Sequence, residues 1–187
     1  MNGIVKRIEP RTSVAQNLLE EQVGNGFTAA QQYVAIAVWF DQRDLPRLAA
    51  HFYRRAARRR EDAMRVVQYM MDNNIAVEIP GVPSVRNDFA DPREPIALAL
   101  EQEHAATREF TALSEQMRRE GDHRGEQFLR WFLTAQVDNV SQLTTMLNVV
   151  DRAQGDMFDL ETYLARDPVP ASRHDSAAPH PADRTGA

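Results

Sequence analysis

The sequence predicts an all-α protein: a four-helix bundle with one long crossover and a short fifth helix. Three observations carry that prediction. Four stretches repeat apolar residues at spacings of three and four, the period of one helix face. Breaks of a few residues separate the first stretch from the second and the third from the fourth, so each pair folds back as an antiparallel hairpin. Between the pairs lies a proline-bearing connection from Ile75 to Pro92, above the usual loop length and suited to running along the whole bundle.

Taken in chain order, residues 1–12 form an N-terminal extension. The first helix runs from about Ser13 to Asp41, with Val14, Leu18, Val23, Ala30, Val34, Ala37 and Val38 recurring on its face. Asp44 is the expected N-cap of the second, with Leu45 and Pro46 in a first turn that tolerates proline. That helix ends near Asp72-Asn73-Asn74. The third spans roughly Arg93 to Arg119 and stops at Glu120-Gly121, and the fourth runs from near Asp122 to about Ala153. A shorter fifth pattern covers Asp156 to Arg166, so the bundle unit is 13–166. Beyond it, residues 167–187 turn to Pro, Ala, Ser, His and Asp, a composition that buries no core. His174 and His180 lie there; a solvated tail accounts for them better than a metal site.

Composition narrows the function. A length of 187 residues suits one domain with a full core, and a net charge of −5 disfavours general nucleic-acid binding by the outer surface. The absence of cysteine excludes disulfides, thiol catalysis and thiolate metal sites. No stretch reaches the roughly 18 apolar residues of a membrane span, and no signal-peptide pattern opens the chain. A soluble cytoplasmic protein, with no membrane partner, is the expectation.

One residue breaks the amphipathic pattern. In the second helix Leu48, Phe52 and Ala56 lead at helical spacing to Arg59, and Ala63, Val66 and Met70 continue the stripe. A buried arginine demands a carboxylate, because an unpaired interior charge costs several kcal/mol. Asp62 shares that face.

The segments Gly26-Phe27-Thr28-Ala29-Ala30-Gln31-Gln32-Tyr33-Val34-Ala35-Ile36-Ala37-Val38, His51-Phe52-Tyr53, Val77-Glu78-Ile79-Pro80-Gly81-Val82, Gly125-Glu126-Gln127-Phe128 and Trp131-Phe132-Leu133 resemble the non-haem bacterial ferritins. The resemblance covers nearly all of 13–166, and the Pro/Ala/His tail is similar to the actinobacterial type. It implies a ferritin-like bundle assembling into a hollow, closed shell of octahedral symmetry with 24 subunits. It also implies a di-iron ferroxidase centre inside each bundle, built from carboxylates and a Glu-x-x-His pair.

This chain departs from that centre. By resemblance, the first-helix glutamate position holds Gly26, the Glu-x-x-His pair is Arg59-x-x-Asp62, and the Gln-x-x-Glu pair is Gln136-x-x-Asn139. Glu103 is retained, as is nearby Tyr33. The third-iron positions correspond to Arg58, Ala135 and Asp138. The centre is therefore read as degenerate, with Arg59 paired to Glu103 and Asp62 or Gln136 taking its remaining donors. Gly26 is expected to leave room for the longer arginine side chain. Asn139 and Tyr33 read as buried polar groups satisfied by hydrogen bonds, and Trp131 as packing. No cofactor is expected at the bundle site. Glu103, Asp62 and Gln136 are its only, weak, candidate metal ligands, and any iron would lie in the cavity.

Two further features stay open. Arg54, Arg58, Glu61 and Arg65 share a helical face that, by resemblance, looks into the shell's cavity. It is either a solvated charged face or a lining for phosphate or another polyanion. Asp122, His123 and Glu126 open the fourth helix, where they either line a pore or cap the helix. The expected function is an iron-storage-family shell subunit without ferroxidase activity of its own, alone or co-assembled with an active ferritin. The alternative is a structural nanocage whose basic cavity holds phosphate or another anionic cargo.

Overall fold

The computed structural model describes residues 13–153 and 157–166. The N-terminal extension and the tail, with His174 and His180, lie outside the described residues. Five helices follow in order: α1 (Val14–Asp41), α2 (Pro46–Asp72), α3 (Arg93–Glu120), α4 (His123–Arg152) and α5 (Met157–Arg166). α1 packs along α2 and α3 along α4, while α1 also meets α3, giving the all-α four-helix bundle that the periodicity predicts.

Helix ends follow their local chemistry, with one exception. Ser13 caps α1 in a reciprocal box: its hydroxyl accepts from the Gln16 amide, and the Gln16 side chain accepts from the Ser13 amide. α3 stops at Gly121, whose φ of 79° lies in the left-handed region that glycine enters freely. Asp122 caps α4 by accepting from the Gly125 amide. The exception is Asp44, which does not cap α2. It takes a φ of 56° in the turn, Leu45 occupies the N-cap position, and no local side chain bonds there. The cap arrives from the far end of the chain. Glu161 of α5 accepts from the amides of Arg47 and Leu48, placing a carboxylate on the positive end of α2.

The crossover lies extended along α1 and is pinned twice. The buried Gln32 side chain donates to the Arg86 carbonyl and accepts from the Arg86 amide, at 2.7 and 2.8 Å. Three residues later Phe89 docks edge-on against Trp39. No helix among the described residues is long and apolar enough to cross a membrane.

The core comes in two apolar blocks. One gathers Ile36, Phe40, Leu48, Phe52, Ile96, Leu143 and Met146, with Met157 and Leu160 of α5. The other gathers Leu19, Val23, Val66, Met70, Phe110, Leu113, Leu129 and Phe132. Along α2 the first block ends at Ala56 and the second resumes at Val66. Between them α2 turns charged residues inward, and the site lies at this seam.

Candidate functional site

Four consecutive inward turns of α2 supply Arg55, Arg59, Asp62 and Arg65, all buried. α3 contributes Glu103, α1 contributes Tyr33, and α4 contributes Gln136, Asn139 and Gln142. Glu103 is the hub. Its side chain is 1% exposed, and Arg59 donates to Oε2 in a close ion pair. Tyr33 donates its hydroxyl to Oε1 at 2.6 Å, and Arg55 reaches the same oxygen at 3.5 Å. Arg59 and Glu103 thus meet across the bundle as the sequence reading expects.

The rest of the network departs from that reading. Gln136 accepts from Arg59 at 3.2 Å, whereas Asp62 stands 4.0 Å from Arg59 and gives its carboxylate to Arg65 at 2.8 Å. Arg65 is therefore no part of an exposed stripe. It is buried, paired with Asp62 and with Glu61, and its guanidinium lies over the Trp131 ring at 4.7 Å. Of the remaining stripe, Arg54 is exposed, while Arg58 and Glu61 are half-buried. Asn139 donates to Gln136 Oε1 at 2.9 Å, and Gln136 donates onward to the Glu103 carbonyl, so the amides are fixed as a chain.

Arg55 is the member that the sequence reading missed. It sits one turn before Arg59, and its Nε donates to Nε2 of buried His51 at 2.8 Å. Its Nη2 reaches the Asn139 carbonyl and Gln142 Oε1 at 3.4 and 3.1 Å. The signal was its position at i−4 from Arg59, on the same stripe.

Electrostatics follow from burial set against pairing. For Glu103, burial pushes the carboxyl up, but Arg59, Arg55 and the Tyr33 hydroxyl outweigh it and hold the group below its usual range. Burial likewise opposes the charge on Arg59, yet Glu103 more than compensates and holds the guanidinium above its ordinary value. Arg55 goes the other way. Burial dominates and the distant Glu103 contact does not recover it, so its pKa is lowered. Burial also raises Asp62 to about 6 despite Arg59 and Arg65. It lowers His51 to about 3, helped by Arg55 and Arg54. Tyr33 is raised by burial and by Glu103, so it remains a donor.

Gly26 also has a role beyond the one expected. A Cβ built there would lie 2.9 Å from the Ala63 Cβ and 3.4 Å from its Cα. The missing side chain lets α1 approach α2 at Ala63, and Gly26 and Arg59 line one cavity. Gly26→Ala gains about 1 kcal/mol of helix propensity but forces two helix surfaces apart at a cost of about 1–3 kcal/mol. A net loss of about 1 kcal/mol is expected in chemical denaturation. A variant as stable as the parent, or more so, would show that the contact yields freely.

The other sequence candidates lie along α4 or at its start. Ala135 is half-buried and Asp138 exposed on α4. Asp122 accepts from Tyr69 as well as from Gly125, Glu126 pairs with Arg118, and exposed His123 stands 3.9 Å from Glu126. These contacts fit the capping reading of that helix end.

The donor set does not fit a di-iron centre. Two iron ions need several anionic oxygens and open positions. Here the central carboxylate is held by two guanidinium groups and a phenol, and Asp62 is held by Arg65. Among the described residues no group of three or more His, Asp or Glu side chains converges as a metal would require.

Comparison with known proteins places the architecture in a family. The Ferritin-like domain profile matches residues 16–153. The chain is 51% identical over 167 residues to Ferritin BfrB of Mycobacterium tuberculosis, covering 88% of this chain and 91% of that one. It is 47% identical over 165 residues to Ferritin BfrB of Mycolicibacterium smegmatis, covering 88% and 91%. In three dimensions it resembles the open pore ferritin of Archaeoglobus fulgidus with a TM-score of 0.78 at 18% identity, covering 81% of this chain and 94% of that one. The bundle, its long crossover and this extent of identity together make the chain a member of the bacterial non-haem ferritin family.

Proposed function

We propose that this chain is a cytoplasmic ferritin shell subunit that stores iron without oxidising it at a di-iron centre of its own. The observation that carries the reading is the commitment of Glu103 to Arg59 and Arg55. At about 4 Å and an effective dielectric of about 20, one guanidinium opposes a divalent cation by roughly 8 kcal/mol. Arginine has no neutral form to relieve that repulsion at physiological pH. The family membership supports a closed homo-oligomeric shell, of 24 subunits by the resemblance, into which active ferritin subunits also fit. Iron in this reading is cargo in the shell's cavity. The alternative, a shell built around an anionic cargo, loses support from the burial of Arg65, which removes one cation from the supposed basic lining.

The test is to add ferrous iron in air to the purified homopolymer and follow the ferric absorbance, with electron microscopy of the same particles. Hollow closed particles with only slow autoxidation are expected. A fast phase saturating near about two irons per subunit would sink the inactive-centre reading. Stable dimers at every ionic strength, even when mixed with an active ferritin, would sink the shell.

A further inference from the structure

Arg55 leaves charge in the bundle that no carboxylate fully answers. Glu103 is shared with Arg59, which holds it more closely, and Asp62 is taken by Arg65. The other partners of Arg55 are neutral: His51 Nε2, the Asn139 carbonyl and Gln142 Oε1. A second buried guanidinium with only a 3.5 Å share of one anion is an expensive arrangement.

Beside it lies a cavity of about 130 Å³, several times the roughly 30 Å³ that one water occupies. Its walls carry four guanidinium groups, Arg54, Arg55, Arg58 and Arg59, against two carboxylates, Glu103 and Asp62. His51 also lines it. Because Nε2 of His51 accepts from Arg55, the ring proton sits on Nδ1, and that buried nitrogen has no hydrogen-bond partner. The cavity therefore combines the under-paired Arg55 guanidinium with an unsatisfied donor on a wall residue.

We propose that this cavity is a binding site for one small oxyanion of the inorganic phosphate class, anchored by Arg55. A guanidinium is a permanent cation that pairs with phosphate oxygens, and the volume holds one such ion. The ion supplies the counter-charge that Arg55 lacks. The site rests on Arg55, His51 and the cavity, and is independent of whether iron is stored.

The experiment uses the full-length protein in phosphate-free buffer. Inorganic phosphate is titrated by calorimetry and by thermal denaturation, against chloride at matched ionic strength. Saturable binding of one phosphate per subunit is expected, with a rise in Tm that chloride does not reproduce. Arg55→Gln should abolish the saturable phase, because it removes the cation that the ion answers. An unchanged response in Arg55→Gln, or an equal response to chloride, overturns the site. Should Arg55→Gln fail to fold, His51→Phe decides: an undiminished affinity overturns the proposal. No iron enters these measurements, so their failure leaves the oxidation experiment standing.

Discussion

Glu103→Gln should lower the unfolding free energy of the subunit by about 3–5 kcal/mol, the usual cost of breaking a buried ion pair from one side. The magnitude belongs near the upper end. The change strands two guanidinium groups, since Arg59 and Arg55 both turn to Glu103. It also removes the anion that accepts the Tyr33 hydroxyl. Urea denaturation of parent and variant at pH 7 measures the difference. Equal stability would mean that the guanidinium groups escape to solvent. The shared carboxylate makes a second, sharper expectation. Arg59→Leu with Glu103→Leu should remain destabilised because Arg55 still lacks its anion, whereas adding Arg55→Met should recover most of the loss. A fully recovered double variant would show that Arg55 does not depend on Glu103.

Acid should destabilise the fold through His51. The folded value lies near 3 and the unfolded value near 6.5. Between these the unfolded chain binds a proton that the native chain refuses, so stability rises with pH across that window and is lost as pH falls through it. The full swing is on the order of 4–5 kcal/mol, at about 1.4 kcal/mol per unit. Asp62 acts with the opposite sign. Its folded value near 6, above the usual 3.8, means that the native state holds the extra proton, so its contribution falls as pH rises from about 4 to about 6. The two windows oppose each other from about pH 4 to about 6, where they largely cancel, so the histidine acts alone only below about pH 4. Stability measured from pH 4 to 8 for parent and His51→Gln should diverge, the variant showing the shallower acid limb. Parallel curves would mean that His51 titrates as an exposed imidazole.

The helix ends at Ser13 and Gly121 and the crossover at Ile75 to Pro92 were legible because their causes are local: a capping hydroxyl, a glycine past the last turn, a run of prolines. Arg59 was legible for the same reason, as a charge on an apolar stripe. Arg55 was not, though it lies on that stripe. It belongs to a run of arginines in which Arg54 faces out and Arg55 faces in, and periodicity alone does not set where the inward arc ends. Arg65 was misread because its burial depends on Trp131, which reaches it from another helix. The cap of α2 was out of reach of any local rule. Its carboxylate lies more than a hundred residues away, while Asp44, the local candidate, is spent on a left-handed turn.

That distant cap has a further consequence. The Arg47 and Leu48 amides receive their partner only when α5 is docked, so their exchange with deuterated solvent reports on a segment other than their own. α5 also closes the apolar block through Met157 and Leu160. Undocking it both wets that block and frays the start of α2. A helix made long after the second thus sets when the second is finished, and a subunit shortened before Met157 would carry its fault far from the cut, at the start of α2.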